Sequence, residues 1–554
     1  MLALGVGTGA ARATQASVGV YPAGTSFTAS GPAPARPAAS VSLAMPIGGV
    51  DDATLLARGA QHVSVPTASI DAPLKLRLLF AHYVSVNGKP VPDALEPWDG
   101  SQRATEKVNQ PIWVQVTVPQ GTAPRTYAGS VTLVADGTPH VIPISVGVAN
   151  VTIPPPGQVP GSLLTAFNVS PQSYGAMVNR LYGIPASRSL PGLFSFLASY
   201  RISPNNWGYG NPSSDSGYAA GGGWTLNRAA RMSEAVGSPR QFSSMWIPIS
   251  NNRTAAHNWV AGVSPYEPST WCPYLKAVKG FWENHGWLPG AHPYLYGMDE
   301  PGANLFPIVG RQAAAVHACW PGSELVTTGK PGSANRSLWD GGSDDVDVWA
   351  VLESRYYGEY TTPVQQLRGE NRGTMFLRDI NAARRGGKQI WTYTYEAKSH
   401  RTPGFAATEP VADPRMFVEW AALEGITGLL RGQGMTSYTL STNPLVQNDR
   451  ADGDYVLVYP GRNGPIASAR LEELREGIED WEILNAVRQK HGSRAVVQLL
   501  SGLFSTTSTG AKLACTTGCA IKNSLPYSWP LWSRGAGTAA KIAHMRVNAL
   551  AAAS

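Results

Sequence analysis

Eight short apolar runs, separated by stretches of helical periodicity, constrain this chain more than any other feature of its sequence. They fall at residues 163–167, 202–207, 245–249, 294–298, 325–328, 346–351, 389–395 and 428–430. Strands that alternate with helices pair in parallel through crossovers, and eight such units are the number that closes a barrel. Helical spacing lies between several of them, at 274–283, 308–318, 364–385 and 415–424. A final helix over 469–489 carries Leu471, Leu474, Ile478, Trp481, Leu484 and Val487 near the same spacing. The expected fold is α/β, with a (β/α)8 TIM-like barrel over residues 158–495.

The flanks read differently. Alternating apolar segments at 74–83, 111–118, 127–134 and 141–148, divided by turns such as Asp136-Gly137, predict an antiparallel β-sandwich over 44–157. The run Ile153-Pro154-Pro155-Pro156-Gly157 marks its end. Residues 1–43 read as a signal-like leader followed by an Ala, Ser, Pro and Gly-rich linker, which predicts export. Residues 496–554 read as a small helical appendage, in which Cys515 and Cys519 are spaced to close a disulfide loop. No stretch approaches the roughly 20 apolar residues of a membrane span. Despite a net charge of +7, no Lys/Arg run forms a nucleic-acid stripe, so no nucleic-acid partner is expected. The remaining cysteines are Cys272 and Cys319, with no C-x-x-C step, and the ten histidines contain no H-E-x-x-H. Neither a metal site nor a cofactor is predicted.

The fourth apolar run ends in Asp299-Glu300-Pro301, the single Asp-Glu step in the chain. Pro301 stops the ladder, which places both carboxyls at the strand's carboxyl end, where parallel barrels collect catalytic groups. Neighbouring carboxyls in a partly dry site cannot both ionise freely, so one is held protonated, as a general acid must be. The composition agrees with a protein that handles sugars: charged residues are only 15%, while Trp 17 and Tyr 21 supply aromatic surface.

A second segment, Gly453-Asp454-Tyr455-Val456-Leu457-Val458-Tyr459-Pro460-Gly461, leads to the run Arg475-Glu476-Gly477-Ile478-Glu479-Asp480-Trp481-Glu482. With the strand ending in Asp-Glu-Pro, this resembles glycoside hydrolase family 123 and its bacterial relatives. The resemblance implies a retaining glycosidase that acts on a β-linked 2-acetamido sugar, with the substrate's own acetamido group as nucleophile. It implies Glu300 as general acid/base and Asp299 as the residue that orients the acetamido nitrogen. Tyr393 or Tyr395 would donate to the acetamido oxygen. The chain departs from the family at Arg431-Gly432-Gln433-Gly434, where relatives carry an aromatic pair. Arg431 there points to a different or anionic group in the pocket.

Other residues compete for roles. Glu396, at the end of the seventh run, is placed to be the nucleophile of an ordinary retaining glycosidase, roughly 5–5.5 Å from Glu300. Glu353 is a weaker candidate whose plain alternative is an ion pair with Arg355. Asn205, Trp207 and Trp391 are candidate substrate-binding residues, although large aromatics also fill barrel interiors whatever the function. Arg475, Glu479 and Asp480 read as a structural network. His292 reads as a satisfied core histidine. A surface protein that binds glycans without cleaving them is the non-enzymatic alternative.

Overall fold

The computed structural model of the chain describes residues 16–157, 159–205, 241–247, most of 272–297, 306–329, 331, 346–353, 372–394, 403–432, 434–438, 443–447, 452–505, 531–532, 535 and 537–554. Side chains at 306–308, 372–378, 505 and 531–532 are not described.

Two sheets form the amino-terminal part. The first contains β1 (Ser17–Pro22), β3 (Val50–Arg58), β5 (Lys75–Val86), β6 (Lys89–Trp98) and β8 (Asn109–Thr117). The second contains β2 (Val41–Ile47), β4 (His62–Ile70), β7 (Arg103–Ala104), β9 (Thr126–Ala135) and β10 (Thr138–Thr152), in the order β2-β10-β9-β4-β7. Pairing is antiparallel except between β2 and β10. Val41 and Val146 from the second sheet and Leu55 and Val114 from the first belong to one hydrophobic cluster, so the inner faces of both sheets share a core. Alternation fixes this arrangement: β10 buries Ile142, Ile144, Val146 and Val148 and exposes the residues between them.

Two expectations are corrected here. Part of the segment read as a linker is structural, because β1 pairs with β3 from Ser17 to Pro22. The first sheet also does not end at residue 157. It continues through β20 (Ile466–Ser468) and β19 (Val458–Tyr459), in the order β1-β3-β8-β5-β6-β20-β19, and β18 (Val446–Gln447) pairs with β5. The segment 453–468 therefore stitches the two halves of the chain together. Tyr459 donates its hydroxyl to Asp93 at 2.6 Å, and Arg470 grips the same carboxylate at 2.7 and 3.1 Å.

The second half is built on a seven-stranded sheet, in the order β11-β17-β16-β15-β14-β13-β12. Its strands are β11 (Leu164–Phe167), β12 (Met245–Ile247), β13 (Pro293–Tyr296), β14 (Glu324–Thr328), β15 (Val348–Leu352), β16 (Gln389–Thr394) and β17 (Gly428–Arg431). Every pair is parallel. Each strand falls within two residues of an apolar run, and the remaining run, at 202–207, appears as a parallel bridge from Phe167 to Pro204. Hydroxyls tie the bridge segment and the residues before β12 to Thr165 of β11. Ser203 donates its N–H to Thr165 Oγ1 at 2.9 Å, and Ser244 Oγ donates to the Thr165 carbonyl at 2.6 Å. The sheet is nearly closed.

The described helices are α1 (Pro171–Tyr182), α2 (Ala186–Ser199), α3 (Phe306–Cys319), α4 (Arg372–Arg385), α5 (Asp413–Leu423), α6 (Ala469–His491), α7 (Ser493–Leu500) and α8 (Thr538–Ala553). A disulfide joins Cys272 to Cys319 at the end of α3, a pairing the sequence did not suggest; Cys515 and Cys519 lie outside the described residues. A small hairpin of β21 (Phe504–Ser505) and β22 (Leu531–Trp532) precedes α8.

Helix α6 is the axis of the molecule. Ser468 caps it by accepting from Leu471 N–H at 3.0 Å, and its polar residues are as deeply buried as its apolar ones. Arg415 on α5 reaches Asp480 at 2.7 Å and also binds Glu476. Arg546 on α8 reaches Asp480 at 3.1 Å, Glu479 at 3.4 Å and Asp51 of β3 at 3.7 Å. Arg475 pairs with Glu472 at 2.6 Å, and Arg201 approaches Glu479 at 3.7 Å. The network expected of Arg475, Glu479 and Asp480 is thus present, and it is buried. The carboxyl-terminal segment is not an appendage, because α8 supplies one of this network's cations.

Candidate active site

Parallel pairing puts the carboxyl ends of β11 to β17 along one edge, and the candidate residues distribute themselves by strand. Tyr296 ends β13, and its hydroxyl donates to Thr328 at the end of β14 at 3.1 Å. Glu353 follows β15 and is buried. Tyr393 and Thr394 end β16 and are also buried. Arg431 ends β17. Asn205 lies beside β11, donating its backbone N–H to the Phe167 carbonyl at 2.9 Å. Asn168, which sequence reasoning passed over, ties the β11 end to β17 by donating to the Gly432 carbonyl at 2.9 Å. Asp299, Glu300, Trp207, Tyr395, Glu396 and Arg355 lie outside the described residues.

Gly297 is the first residue past β13, and its place explains its type. A Cβ there would lie 3.1 Å from Gln312 Oε1 and 3.2 Å from Leu325 Cδ1. The strand therefore presses against α3 and β14 just before the Asp-Glu step.

Two sequence-derived binding residues are corrected. Trp391 is fully buried and meets Tyr294 edge-to-face at 5.5 Å between ring centres. Two strands separate β16 from β13 in the sheet, so this contact spans its concave interior. Trp391 offers no face to a sugar. A Cβ on Gly428 would stand 2.4 Å from its ring. Gly428→Ala is expected to destabilise the protein by about 1–3 kcal/mol through overpacking, read as a lower urea midpoint with unchanged slope.

Arg431 is also committed elsewhere. It is buried, it donates to the Asp454 carboxylate at 2.8 Å and to Thr394 Oγ1 at 3.3 Å, and it stacks on the Phe405 ring at 4.5 Å. Its charge is matched by Asp454, which removes the reason to expect an anionic sugar group beside it. Asp454 was visible in the sequence as part of a motif, but its partner was not. His292 is satisfied, as expected: it pairs with Glu324 at 2.5 Å, at the amino-terminal end of the strands and away from the site edge. Among the described residues, no group of three or more His, Cys, Asp or Glu side chains is arranged to hold a metal ion. Among the same residues, no helix is long and apolar enough to cross a membrane.

Residues 249–487 match the family profile described as glycoside hydrolase 123, catalytic domain. The chain carries a family 123 catalytic domain. It is a glycosidase by class, and a glycan is its substrate. The matched stretch runs from just after β12 through β13–β17 and into α6, so it includes the site edge from β13 to β17 and the α5–α6 part of the buried charge network. A family 123 glycoside hydrolase from Clostridium perfringens superposes with a TM-score of 0.64 at 13% identity, covering 97% of this chain and 98% of that one, which shows a shared fold. An endo-β-1,4-mannanase from Thermotoga petrophila overlaps at a TM-score of 0.33, 13% identity, 58% of this chain and 77% of that one. A β-glucuronidase from Bacteroides uniformis overlaps at 0.25, 12%, 80% and 50%. No curated protein matches the sequence significantly.

Proposed function

We propose that this family 123 enzyme is a retaining glycosidase that cleaves a β-linked 2-acetamido sugar by substrate-assisted catalysis, on a (β/α)8 barrel fronted by a β-sandwich. The observation that carries the reading is the wholly parallel sheet, whose strand β13 ends at Tyr296, three residues before Asp299. In such a sheet the carboxyl edge is where catalytic groups gather. Glu300 protonates the leaving oxygen and later activates water. Asp299 orients the acetamido nitrogen while its carbonyl oxygen attacks the anomeric carbon. Tyr393 or Tyr395 steadies the acetamido oxygen from the end of β16. Closure of the barrel draws support from the Phe167–Pro204 bridge and the Ser203–Ser243 hydroxyl contact at 3.1 Å. Export fits the Cys272–Cys319 disulfide, since such bonds persist in oxidising compartments.

The competing scheme makes Glu396 the nucleophile. It draws support from β16, whose last described residue, Thr394, lies two positions before Glu396 on the same edge. Two variants and two inhibitors separate the schemes. Under substrate assistance, Asp299→Asn is severely impaired, Glu396→Gln is mildly affected, and a thiazoline analogue binds tightly. Covalent labelling of Glu396 by a fluorinated-sugar inactivator, with good turnover of sugars lacking the acetamido group, would establish the other scheme. A glycan-binding protein without turnover would leave every aryl glycoside intact.

A further inference from the structure

A cleft of about 470 Å³ opens on the seam between the first β-sheet and the segment that leads into α5. Its lining combines buried Trp113 and Phe27, the Asp93–Arg470 ion pair, and the exposed Lys89 and Thr408. The volume falls in the roughly 300–1,000 Å³ range of small-molecule sites. The chemistry of the lining suits a neutral sugar. The accessible proline and valine surface at Pro90, Pro92, Pro410 and Val411 accepts the C–H face of a pyranose ring, while its hydroxyls find donors and acceptors at the rim. Asp93 and Arg470 cancel one another, so the cleft has no strong call for an anion. Trp113 adds an unmet donor, since its indole N–H has no hydrogen-bond partner among the described residues.

Position ties this cleft to the catalytic edge. Arg431, at the end of β17, stacks on the ring of Phe405, and the carbonyl of Phe405 accepts from Arg470, which lines the cleft. One residue thus separates the strand-end layer from the cleft. Residues 407–411, which form one wall, belong to the connection that leaves β16 and enters α5. We infer that this cleft is a distal saccharide subsite, which holds a sugar unit of an extended glycan whose scissile bond lies at the carboxyl edge of the barrel. The inference rests on the glycosidase reading and extends it from one sugar to several.

The test compares short and long substrates in the full-length enzyme. An aryl N-acetyl-β-galactosaminide, or the aryl glycoside of whichever sugar a panel identifies, probes the reacting centre alone. The same sugar on a β-linked tetrasaccharide probes the subsite. Thr408→Trp places an indole across the cleft from an exposed position, and Lys89→Ala trims its rim. Thr408→Trp is expected to raise KM for the tetrasaccharide about ten-fold, equivalent to one sugar's worth of contacts. It should leave kcat/KM for the aryl glycoside at the wild-type value. Lys89→Ala is expected to raise the same KM roughly three-fold, a single hydrogen bond. Tetrasaccharide addition should also shift the Trp113 indole signal in enzyme carrying isotope-labelled tryptophan. The inference is overturned if Thr408→Trp handles the tetrasaccharide as wild type does, or if the Trp113 signal stays still at saturating glycan. Loss of aryl glycoside turnover in the wild type would instead sink the catalytic reading.

Discussion

Glu300→Gln is expected to lower kcat/KM on glycosides with poor leaving groups by about 10²–10⁴-fold, the range for loss of a positioned proton donor. The effect on aryl glycosides with acidic leaving groups should be far smaller, because those depart without protonation. Leaving-group dependence is the useful readout, since a variant that merely loosens the fold loses activity on both. Equal losses across a leaving-group series would reject Glu300 as the acid. The position supports the role: the described part of β13 ends at the carboxyl edge, and Gly297 is pinned against α3 and β14 immediately before the Asp-Glu step.

Arg415→Met is expected to destabilise the enzyme by about 3–5 kcal/mol at neutral pH, because it strands buried carboxylates without their cation. Arg415 holds both Glu476 and Asp480, and all three side chains are almost wholly buried. The surrounding cluster is rich in acids. Asp51, Asp52, Glu419 and Glu473 crowd the same region as Glu472, Glu476, Glu479 and Asp480, against the guanidiniums of Arg201, Arg415, Arg475 and Arg546. Burial, reinforced by neighbouring carboxylates, pushes Asp52, Glu419, Glu473 and Glu476 well above the usual carboxylate range. These four therefore hold their protons to higher pH in the fold than in the unfolded chain, where carboxyls titrate near about pH 4.

The sign of the pH dependence follows. With more protons bound folded than unfolded, the contribution of these groups is fullest below about pH 4 and is lost as pH rises towards the folded values. The expected signature is a urea midpoint that falls from mildly acid to alkaline pH. Glu473→Gln, a neutral mimic of the protonated acid, should flatten that fall. A midpoint that rises with pH in the wild type, or a slope that Glu473→Gln leaves untouched, would contradict the upward shift of these carboxyls.

Much of this architecture was legible because strands of the central sheet are short, apolar and bounded by Gly, Pro or Asp. The runs at 294–298 and 389–395 resolve to Pro293–Tyr296 and Gln389–Thr394. What escaped the sequence has physical reasons. Strands β18, β19 and β20 contain two or three residues each, too few for a period, so their capture by the amino-terminal sheet left no trace in the pattern. Arg546 sits in an Ala-rich helix that reads as part of a terminal appendage, and only its partners reveal it as a buried cation. Cys272 and Cys319 are 47 residues apart, a separation that carries no pairing signal. Trp391 looked like a sugar platform because its type is right for both roles, and only the contact with Tyr294 across the sheet interior decides between them. Arg431 misled similarly, its counter-ion Asp454 lying 23 residues further along the chain.

The seam between the halves also sets a timetable for synthesis. Val50 N–H is satisfied by Glu479, 429 residues later in the chain, and Asp93 waits for Arg470, 377 residues later. At ribosomal rates of about 5–20 residues per second, the amino-terminal sheets emerge roughly 20–90 s before the helix that neutralises and covers them. During that interval the free edge of β6, which β20 later occupies, is open to pairing with another nascent chain. Yield in a heterologous host should consequently depend on chaperone supply and translation speed more than on the stability of the finished enzyme.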